Sequence, residues 1–286
     1  MDGFIFGGRL DRSDEGIDCE DAAVPGLTAR VALSRRVLEE AWDVRRAAYV
    51  AQGLVEPGAA EQLTDALDFS PSTKVFVVYK DGVAVASARA CLYAPDSGVA
   101  GATTVPAMDV FHDEIVELRR RTPASSKPAR VVEIARFARH PSVSADTGIV
   151  FALYHMAAYA IQAFEADAVI SAIQPHHVPF YRRLGLEQIA APRPYAKVKA
   201  QCALVAAVRP NGGELRDVVP ILRLVAKDDG VFGDFVGGNR VPVYGSCGIA
   251  PSLNTIFGRS SRRTRPSHAP SVRDQQTRPE GLELAA

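Results

Sequence analysis

The sequence predicts a three-layer α/β fold, a mixed central β-sheet flanked by helices. Three observations point there. Residues 131–141 form an apolar strand pattern that carries Glu133 and Arg136 three positions apart. A long apolar helical segment follows at about 148–165, and a second strand runs over 168–173. Strand–helix–strand of this length makes a right-handed crossover between parallel strands, and such strands are buried on both faces, as their near-continuous apolar runs require. In open sheets of this kind ligands sit beyond the carboxyl ends of strands, where neighbours diverge. That rule puts 136–141 and the start of the long helix at the expected site.

The remaining elements follow in chain order. Residues 33–53 carry a broad apolar face (Leu33, Val37, Leu38, Ala41, Trp42, Val44, Ala48, Tyr49) at helical spacing, with Gly53 as the stop. Residues 74–79 and 83–92 are β-rich runs joined through Asp81-Gly82, a strong hairpin signal. Residues 109–121 read as a second helix, with Val110, Phe111, Ile115 and Leu118 on one side. After the 168–173 strand, residues 175–186 read as a short helix ending in Arg-Leu-Gly, and 195–208 as a last strand, whole or broken in two. A short helix or strand is expected over 217–226, and an irregular Gly-rich stretch over 230–248. The domain layout expected is an N-terminal arm (1–28), a catalytic domain (29–210), an extension of unassigned structure (211–257) and a disordered basic tail (258–286).

Composition sets the boundaries of function. The chain has 286 residues, 47% hydrophobic and 23% charged, with formal net charge zero. These values fit a globular protein and give no global field for nucleic acid or anionic membrane. No run nears the roughly 18 apolar residues of a membrane span, and the N-terminus lacks a secretory pattern. A cytoplasmic location is expected. Cys19, Cys91, Cys202 and Cys247 are scattered, so neither a metal centre nor a disulfide framework is expected.

Several blocks in order resemble a known family. These are Asp43-Val44-Arg45-Arg46-Ala47-Ala48-Tyr49; Asp68 ahead of Lys74; Arg89 at the end of the hairpin; and Pro106 through Phe111 with Leu118-Arg119. Glu133-Ile134-Ala135-Arg136-Phe137-Ala138, His177 through Gly185, and Tyr195 complete the set. Over about 31–208 the chain resembles the Gcn5-related (GNAT) acyltransferases, and more narrowly the long-chain N-acyl amino acid synthases and their cousins, the acyl-homoserine lactone synthases. The resemblance implies an N-acyltransferase that moves an acyl group from acyl carrier protein or acyl-CoA, used as co-substrate with no permanently bound cofactor, to a small-molecule amine or amino acid.

One segment departs from the pattern. Acetyl-CoA-dependent relatives place a glycine-rich turn before the long helix, where backbone N–H groups hold a diphosphate. Here His140 through Gly148 has one glycine, and Asp146 stands where an anion would sit. This favours a carrier-borne acyl chain over acetyl-CoA. The alternatives are an acetyl-CoA-dependent N-acetyltransferase, a homoserine lactone synthase, and an inactive module that only binds acyl carrier.

Acyl transfer to nitrogen needs a base for the amine and a proton for the departing thiolate. Glu133, on a central strand, is the candidate base; its alternative is a structural ion pair with Arg136. Residues three apart on a regular strand face opposite ways, so a direct pair requires a bulge. Arg136 and Arg89 are candidates for the acceptor carboxylate, since guanidinium binds carboxylate in a fork; a surface location is the alternative for each. Asp68 either binds the acceptor ammonium or caps the turn before Ser70-Pro71. Arg45 is a candidate substrate contact or lies on the solvated side of its helix. Tyr181 occupies the position from which, by the resemblance, the thiolate is protonated; otherwise it is an aromatic wedge beside Phe180. His177 reads as a capping or solvent residue. Arg119-Arg120-Arg121, Lys127 and Arg130 either dock an acidic carrier protein or form a solvated helix end.

Overall fold

The computed structural model describes residues 26–58, 64–123, 128–195, 199–225 and 230–243. The tail expected over 258–286 and nearly all of the arm expected over 1–28 lie outside the described residues, as do Cys19, Cys247 and Lys127.

Strand β1 (Leu27–Val31) leads into α1 (Arg35–Ala51), whose cap residue Ser34 accepts the Val37 N–H. The hairpin β2 (Thr73–Lys80) and β3 (Val83–Tyr93) turns through Asp81 at φ 50° and Gly82 at φ 84°. Two positive-φ residues match the right-handed twist of the strands. Helix α2 (Met108–Arg121) precedes β4 (Val131–Arg139), α3 (Thr147–Ala163) and β5 (Ala168–Ile173). Then come α4 (Val178–Arg183), β6 (Glu187–Tyr195) and β7 (Ala200–Val208), so the expected last strand is two.

The strands form one sheet in the order β6-β7-β5-β4-β3-β2-β1, with β8 (Val241–Pro242) added beside β1. Its one parallel pairing among the described residues is β4 with β5, the crossover the sequence predicts. Helices α1 and α2 cover one face, packing on Val75, Val77 and Tyr79 and on Cys91, Val131 and Ile170. Helix α3 covers the other; Ile149, Ala152 and Met156 are wholly buried against residues such as Val132 and Ala90. The Ile149 and Met156 side chains each contribute about 1.5–3 kcal/mol.

Residues 211–225 and 230–243 are more ordered than expected. They form α5 (Leu215–Val218), a 3-10 turn (Pro220–Leu224) and α6 (Gly230–Val236), and then supply β8. Over its described residues, 230–243, the Gly-rich region read as irregular therefore holds a helix and an edge strand. Its anchor is Phe235, fully buried against Phe76 and Tyr159 (ring centroids 6.2 and 5.5 Å). Ile221 and Leu222 join the same core as α3. Gly185, at φ 89°, admits this packing: a Cβ there would lie 1.8 Å from the Val218 carbonyl oxygen.

Candidate active site

Strands β4 and β5 pair only at Val131–Ala168, Val132–Val169 and Glu133–Ile170. At the next position the Ser171 hydroxyl donates to the Ile134 carbonyl at 2.7 Å. Beyond it the two strands separate, the divergence expected at the carboxyl ends.

A bulge sits on β4 just past that point. Ala135 pairs with Arg89 and Ala138 with Ser87, so Arg136 and Phe137 stand opposite the single residue Ala88. Arg136 has φ 57°, a left-handed conformation costing a non-glycine residue roughly 1–3 kcal/mol. The bulge turns Arg136 onto the α1/α2 face, the face that Glu133 and Arg89 already occupy. No ion pair joins Glu133 to Arg136 among the described contacts; the Arg136 Nη2 instead meets the Asp65 Oδ2 at 3.3 Å.

Asp65 belongs to a buried charge network. Arg45 donates to both Asp68 oxygens (3.1 and 2.9 Å), Arg89 donates to Asp65 and Asp68 (2.6 and 3.0 Å), and the Trp42 indole donates to Asp68 at 3.0 Å. Arg45 and Arg89 are both 0% exposed, which corrects the solvated-helix and surface alternatives. Arg45 lies one turn from Ala41 and Ala48 on the inward stripe of α1, whereas the outward arginine is Arg46, paired with Asp43. Arg89 sits on a strand in the middle of the sheet. Asp68 does not cap the turn before Ser70; Asp65 caps the turn over 66–69 through the Leu67 N–H at 3.1 Å. Asp65 carried no individual signal in the sequence beyond lying three residues before Asp68, and Trp42 looked like core.

The electrostatics are lopsided. Among the described residues, three guanidinium groups (Arg45, Arg89, Arg136) face two aspartates, and Nε and Nη2 of both Arg45 and Arg89 have no hydrogen-bond partner. Against the desolvation of burial, Arg89 and Arg136 hold Asp65 below the ordinary carboxylate range. Solvent reaches the network at its Asp65 and Arg136 side.

Glu133 is 1% exposed, and its Oε2 accepts the Ala107 N–H at 2.8 Å, at the start of α2. Burial pushes its carboxyl up to about 7, opposed by the Ala107 N–H and by Arg89 and Arg136. Tyr195, at the end of β6, comes close enough for the Glu133 charge to add to burial in raising its phenol. Two surface hollows of about 210 and 270 Å³ flank α2, and neither is lined by Glu133 or Arg136.

Tyr181 lies on the opposite face of the sheet, beside the same strand gap. It is buried among Tyr154 and Phe180, with ring centroids 5.9 and 6.1 Å away. Burial raises its phenol, so it keeps its proton through neutral pH. His177 is exposed beside His176 and makes no side-chain cap.

At the start of α3, Asp146 accepts the Gly148 N–H at 2.9 Å and pairs with Lys80 at 2.9 Å. The anion position of that helix therefore holds the chain's own carboxylate. The arginines at the end of α2 are also matched internally, Arg119 with Asp96 and Arg120 and Arg121 with Glu117, as is Arg130 before β4 with Glu165.

The family model described as N-acyl amino acid synthase FeeM matches residues 40–208, the span that holds the strand gap, the bulge and the charge network. The chain belongs to the FeeM family. Among solved structures, that of FeeM, an N-acyl amino acid synthase from uncultured soil microbes, superposes with TM-score 0.54 at 22% identity, covering 71% of this chain and 100% of that one. An acyl-CoA N-acyltransferase from Pseudomonas aeruginosa aligns at TM-score 0.43 and 18% identity, covering 64% of this chain and 99% of that one. The acyl-homoserine lactone synthase LasI aligns at 0.45 and 14%, covering 76% and 98%. No curated protein matches by sequence. This FeeM-family chain is thus an acyltransferase that shares the fold of the FeeM structure, and no helix among its described residues is long and apolar enough to cross a membrane.

Proposed function

We propose that this FeeM-family acyltransferase moves an acyl group from a carrier-borne thioester to the α-amine of an amino acid. The observation that carries this reading is the cationic excess at the gap: Arg45, Arg89 and Arg136 against Asp65 and Asp68, beside a Glu133 held near neutrality. Once Glu133 has taken the amine's proton, three guanidinium groups face the charges of Asp65 and Asp68 alone, and an amino acid brings a further carboxylate on the same carbon as its amine. Arg136, at the solvent edge, is the first guanidinium such a carboxylate meets, and a planar fork suits it.

In this scheme Glu133 takes a proton from the acceptor nitrogen, directly or through one water. The free amine attacks the thioester carbon, the tetrahedral oxyanion collapses, and the C–S bond breaks. Tyr181 gives its proton to the departing thiolate. A base poised near neutrality suits the first step, and a phenol that stays protonated suits the last.

A carrier protein as donor is favoured over coenzyme A by Asp146. A carboxylate at the first turn of α3 repels a diphosphate from the N–H groups that would bind it. Expression in a laboratory bacterium followed by mass spectrometry of lipid extracts tests the reading. Long-chain N-acyl amino acids are the expected product. Acetylated amines made only with acetyl-CoA, lactones, or tight carrier binding without any product would each replace it.

A further inference from the structure

We propose that residues 52–56 form a strap that closes the gap between β4 and β5 on its α1 side and opens to admit the acceptor. This rests on the preceding reading, in which an amine reaches Glu133 beside Arg136. With the strap in place, neither hollow beside α2 is lined by those two residues, and the Arg136 and Asp65 side chains are only 12% and 18% exposed. An amino acid needs a wider entrance than that. Helix α1 ends above the gap, where Val44 and Ala48 pack with Ala138 near the carboxyl end of β4. The chain turns there at Gly53, φ 65°. The Gly53 N–H donates to the Val50 carbonyl at 3.0 Å and the Leu54 N–H to the Tyr49 carbonyl at 2.9 Å. This left-handed helix ending suits glycine.

From that turn the chain reaches β7, two strands away from β4 in the sheet. The Lys199 N–H donates to the Leu54 carbonyl at 3.0 Å, and the Lys199 ammonium pairs with Glu56. Strand β7 runs beside β5 as far as the Ala203–Ile173 pair, so Lys199, just ahead of β7, lies beyond the carboxyl end of β5. The contact therefore spans the stretch where β4 and β5, paired only as far as Glu133–Ile170, have parted. Little holds it shut. The Lys199 and Glu56 side chains are 63% and 69% exposed, so solvent screens their attraction. Gln52, Gly53 and Glu56 are exposed, and Val55 is the strap's one buried side chain. A loop with so few buried contacts opens locally while the sheet stays intact. Closed, it keeps water from the thioester.

The test locks the strap in the full-length protein. A backbone hydrogen bond of this kind holds the Cα atoms of Leu54 and Lys199 about 5–6 Å apart, the span of a disulfide. The double variant Leu54→Cys/Lys199→Cys is compared oxidised and reduced. One readout is phenylglyoxal modification of Arg136, mapped by mass spectrometry. The other is N-acyl product made from a long-chain acyl-pantetheine and a mixture of the common amino acids. Oxidation is expected to slow both about tenfold or more, and reduction to restore wild-type rates. Equal Arg136 modification in the two states, or undiminished turnover when oxidised, would overturn the proposal. Slowed modification in a protein that acylates other amines but no amino acid would uphold the strap and remove the acceptor reading. If the disulfide does not form, Lys199→Pro removes both the N–H donor and the ammonium. That variant is expected to speed Arg136 modification several-fold, and an unchanged rate would sink the strap.

Discussion

Glu133 and Arg136 lie on the same face of the sheet although they stand three positions apart on one strand. The bulge opposite Ala88 absorbs the odd residue and carries the positive φ of Arg136. A regular strand would have pointed this arginine toward α3, away from Asp65, and left the acceptor side of the gap without its outermost cation.

The bulge separates stability from binding at one position. Arg136→Gly relieves the left-handed strain, so it is expected to be about 1 kcal/mol more stable than Arg136→Ala in urea unfolding. Both variants are expected to raise KM for the acceptor at least tenfold. Equal stability of the two would show that the backbone there is not strained in solution.

The charge network should be intolerant of half-removal. Asp68→Asn leaves the Arg45 guanidinium, 0% exposed, without its counter-ion. Breaking a buried pair in this way costs roughly 3–5 kcal/mol. Chemical denaturation measures it, and a loss under 1 kcal/mol would mean that water reaches Arg45.

Glu133 links activity and stability to pH with opposite signs. Activity is expected to rise as pH passes about 7, where the carboxyl ionises. Its folded value lies above its unfolded one, so the folded state holds the proton more tightly. The stability contribution is present at low pH and is lost as pH rises from the unfolded value, about 4.3, to about 7. Glu133→Gln is expected to flatten both profiles and to cut turnover by about two to four orders of magnitude. Turnover that stays at the wild-type level would take Glu133 out of the base role.

Asp146 is testable with little risk to the fold. Asparagine caps helices as well as aspartate, and the exposed pair with Lys80 is screened by solvent and contributes little. Asp146→Asn is expected to lower KM for acyl-CoA several-fold while leaving that for acyl-pantetheine, which lacks the diphosphate, unchanged. Parallel changes for the two donors would separate Asp146 from donor choice.

The close approach at Gly185 ties the segment beyond residue 210 to the catalytic core. Gly185→Ala puts a methyl on the Val218 backbone and strains φ, so several kcal/mol of destabilisation is expected in thermal unfolding. Wild-type stability would mean that the segment gives way at no cost.

Periodicity sufficed wherever an element was long and its neighbours were near in sequence. The limits of α1, α3 and β5 and the Asp81-Gly82 turn all follow from local pattern. Helix α6 escaped because seven residues with glycine at two of them, Gly230 and Gly233, carry too little periodic signal, and Phe235 is held by Phe76 and Tyr159 from far along the chain. At the site, the residue types were legible but their burial was not: Arg45 and Arg46 are adjacent in sequence, and only helix rotation against the sheet decides which one meets Asp68.

What the amino-acid order determined alone was the crossover β4–α3–β5, the hairpin, and the inventory of acids, arginines and tyrosines along them. Tertiary structure alone decided that Arg136 shares a face with Glu133, that Asp65 and Asp68 gather three arginines, and that Ser171 bridges to Ile134 where pairing stops. The reason is physical: backbone propensities act over a few residues, whereas charge balance, desolvation and strand register are set by groups that meet only after the chain has packed.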